Sequence, residues 1–164
     1  MTKISKAFSF TALAALLASA ALAQPPAAPA QATPTKGIVV TAADLAALVA
    51  KQPTDKNGNQ SFMQLAPYSV NMEHRVNVPQ SASVHDTEAE LFYVVKGGAT
   101  MVTGGKLLEG KQTGVNWSGS GIEGGVATKL AVGDFLLVPE GVPHWFSKIE
   151  GEVTLMSLHL PRSK

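Results

Sequence analysis

From Gly58 onward, short runs rich in Val, Phe, Tyr and Leu are separated by glycine, proline and asparagine, with 80–96 the longest stretch free of all three. Many short runs bounded by such turn residues read as strands, and none of the intervals reads as a helix. The pattern predicts strands over 61–66, 68–78, 82–86, 90–96, 99–103, 126–131, 134–139, 143–149 and 152–160. No interval among them carries the helical crossover that parallel strands require. The expected fold is therefore all-β and antiparallel, a sandwich or barrel.

One helix is predicted, over 41–51. Thr41 can cap it, Asp44 suits the positive end of its dipole, and Leu45, Leu48 and Val49 share one face. That face is expected to pack on the core. Residues 104–125 hold more than half of the fifteen glycines and are expected to form a long excursion covering the barrel mouth. Gly119, Gly121 and Gly124 match a dinucleotide fingerprint, but without the strand before and helix after that give that motif its function.

The N-terminus reads as an address. Lys3 and Lys6 precede an apolar, alanine-rich run, and Ala21-Leu22-Ala23 has the small-x-small form of a signal-peptidase site. The run is too short to span a bilayer well. Residues 1–23 are expected to be a cleaved signal peptide, 24–36 a Pro/Ala-rich linker and 37–164 the folded domain. Export to the periplasm or outside the cell follows, with no stable membrane insertion afterwards.

Thirteen basic residues against 12 acidic ones give no basic excess for nucleic acid, so no nucleic-acid partner is expected. The chain has no cysteine. A metal would have to be held by nitrogen and oxygen, and the only histidines are His74, His85, His144 and His159.

Two spacings stand out. Gly133, Pro139, Gly141 and His144 follow G-x5-P-x-G-x2-H, a turn, an apolar strand, a second bend and a new strand carrying the histidine. His85, Glu90 and Gly97 follow H-x4-E-x6-G. On these motifs the sequence resembles the cupin superfamily, whose motifs are G-x5-H-x-H-x3,4-E-x6-G and G-x5-P-x-G-x2-H-x3-N. The second departs only at Lys148, where asparagine is usual. The first departs at Asn77, in place of its opening glycine, and at Ser83, in place of its first histidine. The resemblance covers roughly 37–161 and implies an antiparallel jelly-roll β-barrel, often a homodimer paired through an outer sheet face.

It also implies a divalent metal inside the barrel, with His85, Glu90 and His144 as ligands. Imidazole plus carboxylate suits Fe, Mn, Ni, Cu or Zn without choosing among them. Ser83 shares the face of His85 by two-residue alternation, and Phe92 that of Glu90. His74 and Arg75 face opposite sides of their strand, so one of them points into the barrel; so do Trp145 and Phe146. His159 either replaces the missing ligand or is structural. The function implied is metal-dependent action on a small polar or carboxylated molecule by an oxygenase, isomerase or lyase, with no catalytic residue assigned. The competing reading is a metal-free module that binds a small ligand without catalysis.

Overall fold

A computed structural model describes residues 35–162. The predicted signal peptide and most of the predicted linker lie outside this range. The helix α1 spans Ala42–Ala50 and opens on a complete capping box, with the Thr41 side chain accepting from the Asp44 amide and the Asp44 carboxylate accepting from the Thr41 amide. The strands are β1 (Gly58–Leu65), β2 (Tyr68–Val76), β3 (Ala82–His85), β4 (Glu88–Thr103), β5 (Lys106–Leu108), β6 (Lys111–Thr113), β7 (Asn116–Gly119), β8 (Gly121–Glu123), β9 (Val126–Leu130), β10 (Phe135–Val138) and β11 (His144–Pro161). Every pairing is antiparallel. The strands alternate buried and open positions around one apolar core, the jelly-roll arrangement expected from the sequence.

Two long strands organise it. β4 pairs with β9, β10 and β11, and β11 pairs with β2, β3 and β4. The sequence predicts each of these as two strands broken at glycine. At Gly97, φ is +74° and a Cβ would lie 1.9 Å from the carbonyl oxygen of Glu152, so only glycine lets β4 cross β11 there without breaking. In β11 the register slips between Ile149 and Val153, around Gly151, and the ladder resumes.

The core comprises Phe92, Val94, Ala99, Met101, Leu130, Val138, Phe146, Ile149, Val153 and Leu155. The face of α1 does not join it: Leu45, Leu48 and Val49 are only half-buried, and no residue of the helix is buried. Residues 104–125 are also not a structureless excursion. They form β5 to β8; β7 extends the sheet beyond β3, β6 pairs with β7, and β5 pairs with β8 in a separate ribbon. The glycines there serve tight turns, whereas the expectation of a loop rested on composition alone.

Candidate metal centre

His85 ends β3, Glu90 is the third residue of β4 and His144 opens β11. The two motifs meet through the backbone, where the amide of Gly141 donates to the carbonyl of His85 over 2.8 Å. Gly141 has φ +72°, and this bend delivers β11 to the site. The Nε2 atoms of His85 and His144 each lie 3.2 Å from Oε2 of Glu90. Donor atoms of the three residues all lie within 4.8 Å of one another.

His159 joins them. β11 places it directly opposite Glu90, with its Nε2 3.4 Å from Oε1 of the same carboxylate. All three rings are held at Nδ1 by an oxygen: Oδ1 of Asn116 for His85 at 3.1 Å, the carbonyl of Val142 for His144 at 3.3 Å, and Oε1 of Glu88 for His159 at 2.9 Å. In the neutral rings, acceptors at Nδ1 hold the proton there and turn the Nε2 lone pairs toward Glu90, whereas a protonated ring donates from Nε2 to Glu90. Three lone pairs around a carboxylate repel it unless a positive charge, a proton or a metal ion, stands between them. The donor set thus fits a divalent metal.

Glu90 is 4 % exposed. Burial pushes its carboxyl upward, and hydrogen bonds from His144 and His85 outweigh that effect, taking it down to about 2. The hydrogen bond to Glu90 raises His85 above the usual imidazole range, against the opposing effect of burial.

The site opens into a cavity of about 170 Å³ lined by Ser83, His85, Glu90, His144 and His159 together with Glu73, Arg75 and Trp145. Arg75, not His74, is the member of that pair on the cavity side. Its guanidinium bonds Glu73 and Gln80 and lies 4.7 Å above the Phe146 ring. Glu73 in turn accepts from Ser157 Oγ at 2.7 Å. His74 points to the opposite face, where its Nδ1 meets Thr154 Oγ1 at 2.9 Å and its ring lines a pocket beneath α1. Its placement with the site residues is therefore corrected. Phe92 is buried behind the site, its ring 6.0 Å from that of His144. Trp145 and Phe146 both line the cavity, and the Trp145 indole donates to the Gln80 carbonyl over 2.9 Å.

Glu73, Asn116 and Glu88 escaped the sequence reading; Glu73 has a signal in its two-residue offset from Arg75, which puts both on one face. Asn116 lies in the glycine-rich segment, and only the β3–β7 pairing sets it opposite His85. Glu88 carries a signal in its two-residue offset from Glu90, which puts both on one face.

No protein-family model matches the sequence, and no curated protein matches it. Among solved structures the chain is similar to the iron(II) form of HppE, with 19% identity and a TM-score of 0.50 over 67% of this chain and 54% of that one. It is similar to the hydroxypropylphosphonic acid epoxidase from S. wedmorenis at 18% identity and a TM-score of 0.50, over 65% of this chain and 51% of that one. A third match, KdgF from Halomonas sp., has 14% identity and a TM-score of 0.48 over 66% of this chain and 81% of that one. The chain spans about half the length of the first two of these structures. The two likenesses at a TM-score of 0.50 establish the fold: the chain has the cupin fold, and within it a His/Glu cluster able to hold a metal.

Proposed function

We propose that this protein binds one divalent metal ion through His85, Glu90 and His144 and acts on a small carboxylated molecule in the cavity beside it. The observation that carries the reading is the set of imidazole Nε2 atoms turned onto one buried carboxylate, with every Nδ1 occupied. An ion bound there supplies a Lewis-acid centre for a substrate oxygen. Arg75 supplies the anchor for the substrate carboxylate, held in place by Glu73 and by the Phe146 ring. A cavity of about 170 Å³ suits a molecule smaller than the drug-sized ligands of typical pockets. The walls carry two carboxylates, Glu73 and Glu90, against one guanidinium. A dication reverses the sign of that balance and favours an anion.

The same proposal places the mature protein in the periplasm or outside the cell, on the strength of residues 1–23, and pairs two copies through an outer sheet face. Among the described residues no helix is long and apolar enough to cross a membrane. The deciding experiment is elemental analysis of untagged protein purified from its native host. One equivalent of a first-row metal, lost in His144→Ala, is the expected result. Metal-free protein that also refuses metal on loading would hand the cavity to the ligand-binding module without catalysis.

A further inference from the structure

We infer that His159 is a third imidazole ligand of the metal, making up the number of nitrogen donors that Ser83 lowers. The inference rests on the metal-site reading above and extends it to a residue outside both motifs.

Three observations carry it. The first is register. β11 runs antiparallel to β4 so that His159 sits opposite Glu90, while the start of the same strand sets His144 opposite Ser83. One strand therefore brings a histidine to each end of the site. The second is orientation. The His159 ring stands edge-on to the His85 ring, with centroids 4.9 Å apart and planes at 81°, and its Nε2 faces Glu90 Oε1. Donor atoms of His85, Glu88 and His159 lie within 4.8 Å of one another, a group distinct from that of His85, Glu90 and His144 but sharing His85 with it. First-row metals hold nitrogen and oxygen at about 2.0–2.2 Å, which sets donors of one ion at most about 4.4 Å apart. The 3.4 Å between His159 Nε2 and Glu90 Oε1 falls inside that limit.

The third is the partner at Nδ1. Glu88 accepts from His159 at 2.9 Å, and the two side chains are similarly sheltered, 22% and 25% exposed. A carboxylate behind a histidine is the arrangement that fixes the tautomer and raises the basicity of a metal-ligating ring. A neutral, purely structural histidine at the end of β11 would have its second nitrogen satisfied by a donor or by solvent. Here that nitrogen is turned onto the carboxylate that His85 and His144 also face.

The test uses the full-length wild-type protein loaded with one equivalent of Cu(II). Pulsed EPR counts the coordinated imidazoles through their remote nitrogens, and competition with a chelator gives the affinity. Three imidazoles are expected in the wild type and two in His159→Gln, with affinity reduced at least tenfold. Glu88→Gln should keep three imidazoles and weaken binding about tenfold, because it replaces the charged acceptor behind the His159 ring with a neutral amide. Two imidazoles in the wild type, or an affinity within twofold in His159→Gln, would overturn the inference while leaving the metal site standing. Two bound ions would overturn it too, assigning His159 to a separate site with Glu88. A wild-type protein that takes up no metal would bring down the metal-site reading itself, and this inference with it. The wild-type count requires no variant to fold.

Discussion

Glu90 is the residue on which the site turns, because three histidines from two strands face its two oxygens. In the metal-free protein its pKa of about 2 lies below the usual carboxylate value, so the stability it contributes is present above that usual value and lost as pH falls toward 2. His85 has the opposite sign. Its raised pKa gives stability present below the usual imidazole value and lost as pH rises through the folded value. NMR titration of the His85 ring in metal-free protein should therefore give a value above the ordinary imidazole range, falling toward it in Glu90→Gln. An unchanged His85 titration in that variant would show that Glu90 is not its partner. A second expectation concerns Ser83, which lines the cavity beside His85. Ser83→His restores a donor at the position where the cupin motif carries one, and metal affinity measured by chelator competition should rise. At this scale the sequence was informative where motif and chemistry coincide, at His85, Glu90 and His144. It was silent on Asn116, 31 residues from His85 in sequence and brought to it only by strand pairing.

The motif from Gly133 to Phe146 was legible because each turn has its own local cause. The Asp134 amide bonds the Ala131 carbonyl, the Ala131 amide bonds the Asp134 carboxylate, the Val142 amide bonds the Pro139 carbonyl, and Gly141 bends the chain into β11. The continuity of β4 and β11 was not legible, since a glycine inside a strand and a glycine between strands look alike until the crossing chain is known. Gly97 shows the difference. Gly97→Ala should destabilise the fold by at least about 2 kcal/mol in urea denaturation, because the positive φ alone costs about 1–3 kcal/mol and the added Cβ meets the Glu152 carbonyl. Gly114→Ala, with the same sign of φ but open space around its Cβ, should cost less. The helix α1 was legible from its cap, which is local. Its failure to bury Leu45 and Val49 was not, because the partner surface is set by tertiary structure.

At the scale of the whole molecule, the outer face of the sheet bears on assembly. Alternation sends Glu90 and Phe92 inward and Leu91 and Tyr93 outward. The register then aligns apolar side chains across neighbouring strands. Leu137, Leu91, Leu158 and Val70 form one row, and Phe135, Tyr93 and Met156 a second. The Tyr93 and Phe135 rings lie 4.5 Å apart, yet Phe135 remains 67% and Leu137 55% exposed. No charged side chain interrupts either row. Monomeric soluble proteins rarely leave a contiguous apolar face of this kind to water. A second copy applied through a two-fold axis would lay the same rows against each other, as isologous pairing requires. The expected mass in solution, by light scattering at micromolar concentration, is that of two chains. Phe135→Lys combined with Leu137→Lys should reduce it to one chain while leaving metal stoichiometry intact, because both side chains point away from His85, Glu90 and His144. A wild-type protein that remains monomeric at these concentrations would refute the pairing. Metal lost along with the dimer would mean that the outer face supports the site through β4, whose inward residue Glu90 lies between Leu91 and Ala89.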